Sequence, residues 1–228
     1  MSIKKISESG FYNLNDLGEF SKLEIENGIK VILFDEGNFS KEIIVGEKSK
    51  VKLCGFLQDE NDYKMFMRQT GEGSKVKIKY LLLSKNNKKT KATIHSKIES
   101  NFSKTDVFVS SLSAENGEID LDGIIELAPN FRQMAGHLIE ENVFLGEKAK
   151  IRGIPTLLVK SNEVEASHAC KIEKISEDDL FYLRSRGIDK KSAVGILIEA
   201  KLKNIFKYIE KEDFYENFLE KIWKEIFD

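Results

Sequence analysis

The amino-acid sequence predicts a mainly β chain: a solenoid of short stacked strands, followed by a helical segment. Three observations carry this. From about Leu23 to Ile175 the apolar residues recur at a period of two, as in strands with one buried face. A short pattern, G-E-x-[SA]-K-[VI]-[KR], returns at 46–52 (GEKSKVK), 71–77 (GEGSKVK) and 146–152 (GEKAKIR). Beyond Ile175 the period becomes helical.

These observations divide the chain into a lead-in (1–24), a β core (25–175) and a helical segment (176–228). Within the core, KVKIKYLLL (75–83), KATIHSKI (91–98), DVFVSSLS (106–113) and EIDLDGIIEL (118–127) read as strands broken by Gly, Asn and Asp. Each echo joins a turn glycine and a polar corner to a strand. The first two copies begin 25 residues apart (46 and 71), which suits one coil, whereas the third begins 100 residues after the first. By itself the echo equally suits three similar hairpin corners in a sandwich.

In the helical segment, Ser176 is placed to N-cap, and Asp179 completes a capping-box-like pattern. Glu177 and Asp178 suit the positive end of the helix dipole. Gly187 is placed as the C′ residue, and Asp189 can cap the next helix, KKSAVGILIEAKLKNIFKYI. A third helix carries Tyr215, Phe218, Leu219, Ile222, Trp223, Ile226 and Phe227 at spacings of three and four, a stripe suited to intramolecular packing.

Composition narrows the functional classes. The chain has 228 residues, 41% hydrophobic and 32% charged, and its 36 Lys plus Arg nearly balance 38 Asp plus Glu to give a formal charge of −2. No net basic field marks a nucleic-acid binder. The start, MSIKKISESGFYNL, has no apolar h-region, and no apolar run suffices for a bilayer, so a cytoplasmic protein off the membrane is expected. Cys54 and Cys170 are too few for a disulfide framework and lack CxxC spacing, so reduced thiols are expected. Without GxxxxGK[ST], GxGxxG, GxSxG or HExxH, any nucleotide in the system is bound by another chain.

The strand VEASHACKI (164–172) holds the most pointed chemistry. Alternation puts Val164, Ala166, His168, Cys170 and Ile172 on one face, and Glu165, Ser167, Ala169 and Lys171 on the other. His168 and Cys170 are therefore expected to point with the apolar residues, toward a core or an interface. Two residues apart on one strand face, they stand about 6–7 Å from each other. They supply two soft ligands where a structural zinc site needs about four. The simpler reading is a hydrogen-bonded core histidine beside a small buried thiol. His95 falls on a solvated strand face, and His137, in FRQMAGHLIEEN near Glu140 and Glu141, falls in a loop. Glu165 and His137 are the next candidates for a metal or cluster site after His168 and Cys170.

In SEDDLFYLRSRGI, Leu180, Phe181 and Leu183 are expected to anchor the helix. Tyr182, Arg184 and Arg186 would then project, and aromatics with arginine are the usual material of interface hot spots. The alternative is local pairing of the arginines with the acidic first turn.

The run IPTLLVKSNEVEASHACKIEKISEDDLFYLRSRGIDKKSAVGILIEA resembles the C-terminal signature of the SufB/SufD family of iron–sulfur cluster assembly proteins. It matches at Pro155, Leu157, Val159, His168, Leu180 to Leu183 and Ser185 to Ile188. A weaker match runs back through GIIELAPNFRQMAGHLIEENVFLGEKAKIRGIP. The resemblance implies a right-handed parallel β-helix with a helical C-terminal segment. It also implies a SufC-type ABC ATPase that docks on Phe181, Tyr182, Arg184, Ser185, Arg186 and Gly187. Family members pair through their β-helices, which implies a homodimer or a heterodimer with a homologue. The implied role is a non-enzymatic scaffold for a transient iron–sulfur cluster, with no permanent cofactor, and with His168 as a site residue.

This sequence departs from the family at several points. The SufB branch places a cysteine just after a glutamine upstream of the P-x-L segment; the counterpart here is Met134 after Gln133. The SufB histidine is followed by glutamate, whereas His168 is followed by Ala169, so the chain sits closer to SufD. Most of the family's N-terminal domain has no counterpart in it. The missing cysteine keeps a second function in view, a structural or regulatory partner of an ABC ATPase without cluster chemistry. A β-helix enzyme such as a polysaccharide lyase or acyltransferase is disfavoured, because His168 is expected to face inward rather than into an open groove.

Overall fold

The computed structural model describes residues 2–58, 62–175 and 177–227. In chain order its strands are β1 (Ile3–Ile6), β2 (Gly10–Asn13), β3 (Lys22–Ile25), β4 (Lys30–Asp35), β5 (Lys41–Val45), β6 (Lys50–Gln58) and β7 (Asp62–Gln69). They continue as β8 (Lys75–Ser84), β9 (Lys89–Ile98), β10 (Lys104–Ser113), β11 (Glu118–Leu127), β12 (Met134–Phe144), β13 (Lys150–Val159) and β14 (Val164–Lys174). The helices α1 (Glu177–Ser185), α2 (Lys190–Phe206) and α3 (Tyr215–Phe227) follow.

Successive strands alternate between two seven-stranded sheets. Odd-numbered strands stack as β1-β3-β5-β7-β9-β11-β13, and even-numbered strands stack from β2 up to β14. Every pairing is parallel, as a solenoid requires when each coil adds one strand to each sheet. The expected β core with helices after it is therefore present. The coils begin earlier than residue 25, because β1 and β2 already pair with β3 and β4. Those first strands are four residues long and little buried, too short for alternation to declare them. The N-cap expected at Ser176 lies outside the described residues.

Alternation fills the space between the sheets with one apolar column per row, including Leu23, Leu33, Leu53, Ile78, Ile94, Val107, Leu121 and Leu138. The even-numbered sheet is also covered outside. Phe34, Cys54, Phe56, Leu81, Leu83, Leu112 and Val143 pack beneath Ile198, Leu202 and Phe206 of α2 and Phe218 and Ile222 of α3. This explains the unbroken apolar run Tyr80–Leu83, since a strand buried on both faces loses its alternation.

The echo has a geometric cause. Gly46 and Gly71 lie against the backbone of the preceding coil, where any Cβ would collide, and Gly71 sits directly on Gly46 and Glu47. The serine of each of these copies turns inward: Ser49 donates to the Glu26 carbonyl at 2.6 Å, and Ser74 Oγ lies 3.2 Å from Ser103 Oγ. The first two copies stack in register on β6 and β8, whereas the third leads into β13 in the other sheet, with Gly146 against the backbone of Glu115. The motif thus marks one corner geometry used at two corners, not a single column.

Gly187 (φ 86°) ends α1 as expected. The Ile188 amide donates to the Leu183 carbonyl at 3.3 Å and that of Gly187 to Arg184 at 3.0 Å, a Schellman ending. Asp189 caps α2, accepting from the Ser192 amide at 3.1 Å.

Candidate functional site

The last coil, β12 through β14, ends the solenoid. β13 and β14 are the final strands of their sheets, so each leaves one edge and part of its inner face unstacked. β14 runs in register with β12. Ala166, His168, Cys170 and Ile172 stand beside Gly136, Leu138, Glu140 and Asn142, all of which face the solenoid interior. The inward phase expected for His168 and Cys170 holds, but their burial does not. Both are exposed, and Ile172 is 70% exposed, because no further coil stacks on β14.

His168 is oriented all the same. Its Nδ1 lies 3.0 Å from the Pro155 carbonyl oxygen across the coil. A carbonyl only accepts, so Nδ1 carries a proton, and in the neutral ring the lone pair is then on Nε2, the form that ligates a metal. Cys170 Sγ accepts from Asn142 Nδ2 at 3.3 Å.

Behind Cys170 sits a residue of the run expected to form a loop. Glu140 lies on β12, wholly buried, and neither carboxylate oxygen has a hydrogen-bond partner among the described residues. Its room comes from two glycines of the opposite sheet. A Cβ on Gly153 would stand 2.7 Å from Glu140 Oε2, and one on Gly123 would fall on Oε1. Burial pushes the Glu140 carboxyl up to about 7, with the Gly123 amide opposing and the Asp122 charge adding. Asn142 Oδ1 and Ser111 Oγ, beside each other in the next inward row, are also buried without partners. An unpaired polar group costs about 1–3 kcal/mol when desolvated, so a strip of them at an open end suits a site more than a core.

The four candidate ligands do not converge. His168 and Cys170 face inward, while His137 and Glu165 lie on the outer face. There His137 Nδ1 is 2.8 Å from Ser167 Oγ, and its Nε2 is 3.8 Å from the exposed Glu165 carboxylate. His137 is on strand β12 rather than in a loop; the Glu-Glu-Asn run that suggested a loop alternates inward and outward. Met134, the counterpart of the missing cysteine, is a core residue. His95 faces outward, but not into solvent as expected: its side chain is covered, with the ring stacked on Phe66 at 4.6 Å and Nε2 3.3 Å from Glu126, and burial lowers its pKa. Among the described residues no three His, Cys, Asp or Glu side chains form a metal-binding group.

On α1 only Leu180 is buried. Phe181, expected as an anchor, is 75% exposed, and Tyr182 is exposed with Arg186 over its ring at 4.7 Å. A short helix cannot turn the adjacent Leu180 and Phe181 to the same side. Arg184, Ser185 and Gly187 are exposed too, so this helix presents two aromatics and two arginines to solvent. Also exposed on the last coil are Ile139 on the outer face of β12, Ile154 and Leu158 on the outer face of β13, and Val159 at the inward end of β13. No described helix is long and apolar enough to cross a membrane.

Comparison with known proteins bears on this geometry. Residues 37–201 match the family model described as SUF system FeS cluster assembly, SufBD core domain. The chain is similar to the iron–sulfur cluster assembly protein SufD of Escherichia coli, 25% identical over 112 residues, which covers 49% of this chain and 26% of that protein. It is similar to an iron–sulfur cluster assembly SufBD family protein of Archaeoglobus fulgidus, 35% identical over 91 residues (40% of this chain, 24% of that one). One from Pyrococcus horikoshii is 32% identical over 81 residues (36% and 18%). These alignments span about a quarter or less of the relatives' lengths. The family model covers most of this chain, including every strand from β5 to β14 and the helix α1. The chain belongs to the SufBD core-domain family of the SUF iron–sulfur cluster assembly system.

Proposed function

We propose that the protein is a cytoplasmic, non-enzymatic scaffold subunit of a SUF-type iron–sulfur cluster assembly complex, on which iron and sulfide are held as transient cargo. The observation that carries this reading is the pairing of His168 and Cys170 at the unstacked end of the solenoid. His168 is fixed by the Pro155 carbonyl with Nε2 left to ligate, and Cys170 offers a sulfur beside it. Glu140, one position behind Cys170 in register, adds a carboxylate without a partner. The described residues of one chain supply too few converging ligands, so two copies, or one copy and a homologue, would complete the set across the unstacked end of the last coil. The exposed face of α1 is the docking surface for a SufC-type ABC ATPase, whose closure would rearrange that dimer contact.

That no three ligands converge among the described residues of one chain favours a second reading, a structural or regulatory partner of the ATPase without cluster chemistry. Anaerobic reconstitution with iron and sulfide separates the two, read by absorbance and by bound iron per chain. The scaffold reading expects loading of the wild type and its loss in His168→Ala, with His137→Ala as the control that loads normally. Wild-type protein that binds the ATPase yet takes up no iron would establish the second reading. If His168→Ala loads like the wild type, the site lies elsewhere.

A further inference from the structure

The repeated corner aligns charge as well as backbone. The first outward residues of four successive strands in the even-numbered sheet are Lys30, Lys50, Lys75 and Lys104, direct register partners from β4 to β10. All four are exposed, and among the described residues their ammonium groups have no ion-pair partner. The row stops at Ala135 and Glu165 on β12 and β14. In the row above it the lysines are engaged: Lys52 lies over the Tyr208 ring at 5.0 Å and Lys77 is 3.5 Å from Asp106. Lys79, one row further, donates to the Asn204 carbonyl at 2.7 Å.

The fold does not impose this like-charge stacking. On the outer face of the other sheet, one row of partners reads Asp62, Lys91, Asp120, Arg152, with signs alternating from strand to strand. Lys91 and Asp62 there approach to 3.6 Å, and Arg152 pairs with Asp120. Like charges directly opposite each other destabilise a sheet, so the lysine row opposes folding in a chain whose net charge is −2. Beside the row, Lys30, Lys50 and Lys52 line a groove of about 520 Å³ together with the apolar Phe11, Val31 and Ile32 and with Glu212.

We infer that this lysine row is the docking surface for an acidic helix of a partner protein. The spacing selects a helix. Lysines on neighbouring parallel strands repeat every ~4.8 Å, so the row spans about 14 Å along the solenoid axis. Acidic residues at i, i+4, i+7 and i+11 of a helix repeat at about 4.5–6 Å and span about 16 Å. Same-face residues of an extended strand repeat at about 6.8 Å and fall out of step. The groove lining offers such a helix an apolar contact. It gives a nucleic-acid base no free ring there, because Phe11 already packs on Phe214 at 5.8 Å. The inference is independent of cluster chemistry.

The test uses the full chain and a labelled synthetic helix with glutamates in that spacing, read by fluorescence anisotropy. The peptide is expected to bind wild type and to weaken by about tenfold or more between about 0.1 M and about 1 M salt. Replacing all four lysines (Lys30→Gln, Lys50→Gln, Lys75→Gln, Lys104→Gln) should weaken binding by about tenfold or more. The thermal midpoint of that variant should stay equal or rise, since removing stacked like charges relieves repulsion. A control with the same charge change elsewhere (Lys4→Gln, Lys64→Gln, Lys148→Gln, Lys150→Gln) should bind like wild type. Equal weakening of both variants would reduce the effect to net charge and overturn the inference. So would an absence of binding, equal binding of a peptide with the same acids permuted around the helix, or tighter binding of a single-stranded oligonucleotide than of the peptide.

Discussion

Glu140 and Cys170 are direct partners in the parallel register of β12 and β14, a buried carboxyl level with an exposed thiol at the end of the solenoid. The carboxyl holds its proton far more tightly than an ordinary glutamate because burial strips its water and the Gly123 amide offsets only part of that loss.

A pH dependence follows. The folded pKa, about 7, lies above the ordinary 4.5, so the folded state binds more protons between those values. The stability that Glu140 lends is therefore full below its ordinary pKa and is lost as pH rises through about 7. The loss is on the order of 3 kcal/mol. Urea denaturation at about pH 5 and about pH 8 should show it in wild type, and Glu140→Gln should flatten that part of the profile. A Glu140→Gln profile as steep as wild type would remove Glu140 as the source.

The two thiols should separate cleanly. Cys170 is exposed, while Cys54 is sealed under α2 and α3 with its pKa raised to about 12, chiefly by burial. A thiol reagent at neutral pH should label one cysteine quickly and the second only on unfolding. Cys170→Ser should abolish the fast phase, and a fast phase that survives it would place Cys54 in an opened structure.

Much of this was legible in the sequence, and what was missed was missed for physical reasons. Alternation gives the side of the strand on which His168 and Cys170 lie, but not what stacks beyond that strand. Exposure at a solenoid end depends on a coil that is not there. Glu140 and Asn142 fall in a run that reads as a loop, because polar residues in succession usually form one. The available signal was their phase, two and four residues on from Leu138, which would have continued the strand through them. The charge row was visible as an echo, yet only register shows that two of its copies put Lys50 against Lys75.

The α1 surface gives a partner test. Arg184→Glu with Arg186→Glu should weaken ATPase co-purification, by on the order of 2 kcal/mol or more if these arginines are hot spots. Both side chains are exposed, so the thermal midpoint should barely move. Undiminished co-purification would assign the docking surface to another element.

In the early coils, Asp35 gathers a buried network. Its Oδ1 accepts from Lys41 Nζ at 2.5 Å and from the Gly37 amide at 3.0 Å. Its Oδ2 accepts from Tyr80 at 2.6 Å and from Tyr63, and the two hydroxyls lie 2.9 Å apart. Asp35, Lys41, Tyr63 and Tyr80 are all buried, and Gly55 makes space for the Tyr80 ring. Burial lowers the Lys41 pKa, and the Asp35 charge opposes that. Because every oxygen is satisfied, the network orders the core rather than waiting for a ligand. Asp35→Asn keeps the shape but leaves the Lys41 ammonium buried without a counter-charge, which should cost about 3–5 kcal/mol. The double variant Asp35→Leu with Lys41→Met removes both charges and should cost less than the sum of the single changes, with a coupling of about 1–3 kcal/mol by urea denaturation. Additive costs would show that the two charges do not depend on each other, and that the tyrosines alone hold Asp35 in place.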